Sequence, residues 1–128
     1  MYSSEVLDHF EHPRNAGVLD SPHVTVQVEN PVCGDVLKLY IEVFQDRIAT
    51  VRFQAKGCVS AMACSSAITD LISGKTLAQA ANLRREDLVR VLGGLPEASE
   101  HASHLAMDAL AAVLKACDSQ PGRVPSGQ

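Results

Sequence analysis

Residues 37–58 read LKLYIEVFQDRIATVRFQAKGC, and this stretch decides the fold. Leu37, Leu39, Ile41 and Val43 alternate with Lys38, Tyr40 and Glu42. Ala49, Val51, Phe53 and Ala55 then alternate with Thr50, Arg52 and Gln54. A period of two with one apolar face is the pattern of antiparallel strands covered on one side. Gln45, Asp46 and Arg47 sit where a hairpin turn belongs. The stretch ends in Lys56-Gly57-Cys58, after which the period changes, so a strand hands over to a helix at that point.

Upstream, Val24, Val26 and Val28 alternate with Thr25, Gln27 and Glu29 and supply another strand. Residues 2–11 form a short helix, with Ser3 or Ser4 as its cap and Val6, Leu7 and Phe10 as its apolar stripe; Pro13 stops it. Downstream, residues 58–73 predict a helix rich in small residues, with Met62, Ser65, Ile68, Thr69 and Ile72 on one side and Gly74 at its end. Thr76 caps a short helix over Leu77–Ala81, and another covers Glu86–Leu92. The last helix runs from Glu97 to Cys117, with Ala98, Ala102, Leu105, Ala109, Ala112, Val113 and Ala116 on its apolar face. Strands grouped first and helices later give an α+β domain over residues 1–117: a small three-stranded antiparallel sheet with helices packed on one face. Residues 118–128, DSQPGRVPSGQ, are polar and rich in Pro and Gly and read as a disordered tail.

Composition narrows the function. With an aromatic share of 4% and no Trp, aliphatic side chains and alanine must fill the core. The net charge of -4 with scattered basic residues gives no footprint for nucleic acid or an anionic membrane. No apolar run approaches the roughly 20 residues that span a bilayer. The polar, acidic start MYSSEVLDHFEH is not a signal peptide, so a cytoplasmic location is expected. In that compartment Cys33, Cys58, Cys64 and Cys117 are expected to be reduced, and cysteines beside glycine and a carboxylate read as ligands or nucleophiles.

Three fragments can carry chemistry. Asn30-Pro31-Val32-Cys33-Gly34-Asp35 lies between the first two strands, where a tight turn can point a thiol and a carboxylate to one side. Those two groups suit zinc or iron, although an Asp that caps its own turn is the alternative. Cys58 begins a helix, where the positive end of the dipole and free N–H groups favour thiolate. A small buried cysteine closing a packing gap is its alternative. Antiparallel pairing brings Cys33, just before one strand, and Cys58, just after its partner, to the same end of the sheet. Glu100-His101-Ala102-Ser103-His104 places two histidines on one helix face, as metal ligands or as solvated side chains. Cys64 and Cys117 fall inside helices and are read as core. Gly74-Lys75-Thr76 lacks the earlier glycine of a phosphate loop, because Thr69 holds that place, and is read as a helix end followed by a cap.

Together these fragments resemble the IscU/NifU-type iron–sulfur cluster scaffold proteins over about Tyr2 to Leu114. The matching pieces are Tyr2, Val6-Leu7-Asp8-His9-Phe10, Pro13-Arg14-Asn15-Ala16-Gly17, Cys33-Gly34-Asp35, Lys56-Gly57-Cys58, Gly74-Lys75-Thr76-Leu77, Leu95-Pro96, and the His101 helix through Ala106, Asp108 and Ala109. The resemblance implies an antiparallel sheet with helices on one side. It implies a scaffold rather than an enzyme, one that takes sulfur from a cysteine desulfurase, combines it with iron, holds a nascent [2Fe–2S] cluster and passes it to apo acceptor proteins. Zinc at the same site is also implied, and a second copy of the chain, forming a homodimer, is a further candidate partner. The ligand set it carries over is Cys33, Asp35, Cys58 and His101, with the aspartate keeping the cluster labile. The family's third cysteine is missing, since its position aligns with Ala102, and Cys64 and His104 are the candidates to compensate. The chaperone-recognition segment after Leu-Pro is not evident in Glu97-Ala98-Ser99. The spacing before the last helix leaves no room for the insertion of the SufU-like branch. The alternative is a divergent zinc- or iron-binding relative that regulates or accepts sulfur from a desulfurase without building clusters. A third reading is an interaction module that keeps the fold and has lost the site.

Overall fold

A computed structural model describes residues 2–32 and 34–119; Met1, Cys33 and residues 120–128 lie outside that set. Helix α1 (Ser4–Glu11) leads to strands β1 (Val24–Glu29), β2 (Val36–Phe44) and β3 (Arg47–Lys56). Helices α2 (Val59–Ile72), α3 (Leu77–Ala81) and α4 (Arg85–Val91) follow. A 3-10 turn (Glu97–Ser99) then feeds α5 (Glu100–Ser119). The strands form one antiparallel sheet in the order β1-β2-β3. The expected α+β class and three-stranded sheet are what the structure has.

The β2–β3 hairpin turns on Gln45 and Asp46, whose φ values of 53° and 59° fit a two-residue turn that follows the strand twist. Pairing runs Leu37↔Ala55, Leu39↔Phe53 and Ile41↔Val51, then slips by one residue between Glu42 and Val43, so that Val43 faces Ile48. That bulge corrects one expectation. Ala49 is exposed and Ile48 is buried, because the extra residue moves the apolar phase of β3 from odd to even positions.

Leu37, Leu39, Ile41, Val51 and Phe53 share one core with Ala61, Cys64, Ile68, Leu105, Ala109 and Val113 from α2 and α5. Helix α2 is buried nearly all round, with Ser60, Ala61, Ala63, Cys64, Ser65, Ser66, Ala67, Ile68, Thr69 and Ile72 inaccessible. Small side chains let it lie between α1, the sheet and α5. The apolar face of α5 is rotated from the one expected. Ala98 is exposed, and the buried positions are Ala102, Ser103, Leu105, Ala106, Ala109, Leu110, Val113 and Cys117. Cys64 and Cys117 are core residues, as read from their helical positions.

Three caps set the ends of the early helices. Ser3 Oγ accepts from the Val6 N–H at 3.0 Å, Cys58 Sγ from the Ala61 N–H at 3.4 Å, and Thr76 Oγ1 from the Gln79 N–H at 3.0 Å. Helix α5 continues to Ser119, two residues past the expected end. The rest of the expected tail lies outside the described residues.

Candidate metal centre

Asp35 is the last residue before β2, and Gly57 and Cys58 are the first after β3. Because Val36 pairs with Lys56, the two strands deliver Asp35 and Cys58 to the same end of the sheet. The backbone of the preceding loop is closed by hydrogen bonds from the Asn30 N–H to the Asp35 carbonyl at 2.8 Å and from the Gly34 N–H to the Asn30 carbonyl at 2.7 Å. Asn30 Oδ1 accepts from the Val32 N–H at 2.9 Å, an Asx turn that fixes the loop start. Gly34 has a φ of 76°, a left-handed value that a side chain would disfavour.

The third group comes from the first turn of α5. His101 Nε2 lies 3.3 Å from Asp35 Oδ2 and 3.9 Å from Cys58 Sγ, and Sγ lies 4.0 Å from Oδ2. The ligand atoms of these three residues all fall within 4.8 Å of one another, the one such group of His, Cys, Asp or Glu among the described residues. Asp35 is buried, His101 is half-buried and Cys58 is exposed, so the site has a closed floor and an open mouth.

These separations fit a metal better than they fit hydrogen bonds. Contacts of 3.9 and 4.0 Å to sulfur are at the outer limit of hydrogen bonding. A tetrahedral ion with zinc-type bond lengths of about 2.0–2.3 Å holds its ligand atoms roughly 3.4–3.6 Å apart. The observed triangle needs only a few tenths of an ångström of adjustment to meet that. Among the described residues the Asp35 carboxylate has only His101 Nε2 and Cys58 Sγ as side-chain partners. One thiolate, one carboxylate and one imidazole form a mixed donor set suited to zinc or ferrous iron.

The other expected residues fall differently. Cys33 lies outside the described residues. His104 is exposed and is not in the ligand group. Cys64 is buried, and desolvation, reinforced by the charge of Cys58, pushes its thiol up to about 12, so it stays protonated in the core. Ala102, where the resemblance places a third cysteine, is 1% exposed and packs into the core. Two contributors were missed from sequence. The Ala61 N–H anchors Cys58 Sγ, and Gly57 lies directly against the Asp35 carboxylate, where an added Cβ would come within 2.5 Å of Oδ1. The strand register could have signalled the second, since Asp35 and Gly57 are one step beyond the last paired residues.

Fold and site together define a small α+β protein with a thiolate–carboxylate–imidazole centre at one end of its sheet. The NifU-like N-terminal domain family matches residues 1–123, and the chain belongs to that family. The iron-sulfur cluster assembly scaffold protein IscU 1 of Archaeoglobus fulgidus is 44% identical over 110 residues, covering 86% of this chain and 72% of the relative. The scaffold protein IscU of Aquifex aeolicus is 41% identical over 125 residues, covering 96% and 80%. The crystal structure of a NifU-like N-terminal protein from Brucella abortus superposes with a TM-score of 0.75 at 20% identity, over 92% of this chain and 94% of that one, and shows the same fold. No helix among the described residues is long and apolar enough to cross a membrane.

Proposed function

We propose that this chain is an iron–sulfur cluster assembly scaffold, which gathers iron and sulfide at Asp35, Cys58 and His101 as a nascent [2Fe–2S] cluster and releases it to acceptor proteins. The convergence of those three donor atoms within 4.8 Å, in a chain of this family, carries the reading. The scaffold names of the relatives support it. Each residue has a part. Cys58 is the exposed thiol, open to a sulfur donor, and as thiolate it is the soft ligand. His101 supplies an imidazole nitrogen from the rim. Asp35 supplies a hard oxygen, a weaker partner for cluster iron than a third thiolate, which favours release over storage. Cys33 is the fourth ligand in this proposal. It rests on the resemblance and on the loop that ends at Asp35.

The partners that follow are a cysteine desulfurase as sulfur source, apo proteins as acceptors and a second copy of this chain, all in the cytoplasm. Anaerobic reconstitution with ferrous iron, cysteine, a desulfurase and dithiothreitol, the thiol that reduces the delivered persulfide sulfur to sulfide, tests the proposal. A coloured product carrying both iron and acid-labile sulfide is expected from the wild type and not from Cys58→Ser. A colourless wild-type product without bound sulfide would sink it.

A second reading is favoured by one observation. Ala102 stands where the family resemblance places a thiolate, which leaves a donor set as suited to a single zinc or ferrous ion as to a cluster. One firmly bound zinc per chain, with no sulfide uptake under the same conditions, would select this metal-binding relative over the scaffold.

A further inference from the structure

We propose that Gly57 sets the affinity and coordination number of the metal site by fixing Asp35 as a one-oxygen ligand. This inference rests on the metal-centre reading above and adds a positioning residue to it.

The two carboxylate oxygens of Asp35 have different surroundings. Oδ2 faces the other donors, 3.3 Å from His101 Nε2 and 4.0 Å from Cys58 Sγ. Oδ1 occupies the space where a side chain on residue 57 would be. A Cβ built on Gly57 would come 2.5 Å from Oδ1, 2.8 Å from Cγ and 3.0 Å from the Ala61 Cβ. The slot therefore has two walls: the Gly57 backbone and Ala61 in the first turn of α2. It exists because Asp35 and Gly57 oppose each other one step beyond the Val36↔Lys56 pair.

A carboxylate with one oxygen tucked into such a slot offers a metal the other oxygen only. One-oxygen binding suits a small four-coordinate ion that also takes sulfur and nitrogen, such as zinc or ferrous iron. Calcium takes six to eight oxygens, often from two-oxygen carboxylates, and this arrangement denies it that. Any side chain at position 57 fills the slot. The carboxylate is rigid, so displacing Oδ1 swings Oδ2 away from His101 and Cys58 as well.

Four full-length chains test this: wild type, Gly57→Ala, Asp35→Ala and the double variant. Zinc affinity is read by competition with a chromophoric chelator, and cobalt(II) spectra report coordination number. Apo-protein melting is recorded for each. The wild type is expected to give the strong visible bands of four-coordinate cobalt with a thiolate charge-transfer band. Gly57→Ala is expected to bind zinc about 10–100-fold more weakly, the range for losing a group that orients a ligand, and to lose the four-coordinate bands. The double variant is expected to bind only slightly more weakly than Asp35→Ala alone, because no carboxylate remains to be displaced and only the φ of 157° at residue 57 still disfavours the side chain.

If Gly57→Ala binds zinc like the wild type, this inference falls and the metal-centre reading stands. The inference also falls if the two single effects add in full, since Gly57 would then act through something other than Asp35. A wild type that takes up neither zinc nor cobalt overturns the metal-centre reading and this inference with it. If Gly57→Ala fails to fold, melting decides. Recovery of a folded state in the double variant places the clash at the slot, and an unfolded double variant refutes it.

Discussion

Two histidines on two helices of this chain stand in opposite circumstances. His9 on α1 is 9% exposed, and its Nδ1 lies 2.8 Å from Ser66 Oγ. That oxygen also accepts the Arg14 N–H at 2.8 Å, so the hydroxyl proton is the one available to Nδ1. Around this pair Thr69 Oγ1 donates to the Ser66 carbonyl at 2.7 Å and accepts from Asn15 Nδ2 at 3.2 Å. His101 on α5 is half-buried and faces a carboxylate at 3.3 Å and a sulfur at 3.9 Å. The first cluster is satisfied by its own members and joins α1 to α2. The second is a ring of donors pointing inward, spaced for something to enter. Satisfaction, rather than residue type, separates a structural polar cluster from a binding site.

The largest contrast should come from replacing Cys58. Serine can still cap α2 by accepting from the Ala61 N–H, so apo-protein melting in Cys58→Ser should stay close to wild type. Zinc affinity should fall by more than the roughly 10–100-fold seen when only an outer-shell partner is lost. A Cys58→Ser chain that keeps wild-type affinity would take Cys58 out of the ligand set. Ser66→Ala should do the reverse. It leaves the Arg14 N–H and His9 Nδ1 without their shared partner in a buried contact, at a cost of about 1–3 kcal/mol. Zinc binding at the far end of α2 should be untouched. Denaturant unfolding alongside zinc titration reads both, and a shared loss in both assays would merge the two regions into one.

Much of this arrangement was legible in the sequence, for reasons that differ by region. The period of two in Leu37–Val43 and Thr50–Ala55, with the punctuation of Gly57, Gly74 and Thr76, reflects local sterics and one-sided burial. Those act over a few residues and can be read directly. That the loop ending at Asp35 meets Cys58 was legible, since a hairpin fixes which strand ends meet, although the expected pair was Cys33 and Cys58 and Cys33 lies outside the described residues. The bulge that buries Ile48 in place of Ala49 was not, because it depends on register between strands. The rotation of the α5 face toward Ala106 and Leu110 depends on packing against α2 and the sheet, and helical spacing alone allows both faces. His101 entered through family resemblance more than spacing, since two histidines three apart on a helix are commonly solvated. His104, one turn further along, is exposed. The role of Gly57 stayed hidden because it consists of an absent side chain.

Acid should loosen the His9 contact. Burial is the main reason the His9 imidazole sits below its ordinary value of 6.5, with Arg14 adding to the shift and Asp70 and Asp8 opposing it. The unfolded chain therefore takes up this proton at a higher pH than the folded one. Its stabilising contribution is complete above about pH 6.5 and is lost as the pH falls from there through the folded value. Melting of the apo protein should drop as the pH falls below about 6.5. His9→Gln keeps a hydrogen-bonding side chain and removes the titration, so its drop should be smaller. An equal drop in both chains would move the acid sensitivity away from the α1–α2 contact.

The smallest effect should come from the change that on paper restores the site. Ala102→Cys places a thiol at the position where the resemblance expects one. Yet successive residues on a helix point about 100° apart, and α5 is turned so that His101 reaches Asp35. That same turn drives position 102 into the core, where it is 1% exposed beside Leu105 and Ala106. A thiol there packs as a small apolar group, as buried cysteines commonly do. Zinc affinity and the intensity of the cobalt–thiolate charge-transfer band should therefore match the wild type, with only a modest shift in melting. An increase in that band corresponding to one more thiolate would mean that α5 rotates to exchange position 102 for His101. The donor ring would then be adjustable in a way the satisfied His9–Ser66 cluster is not.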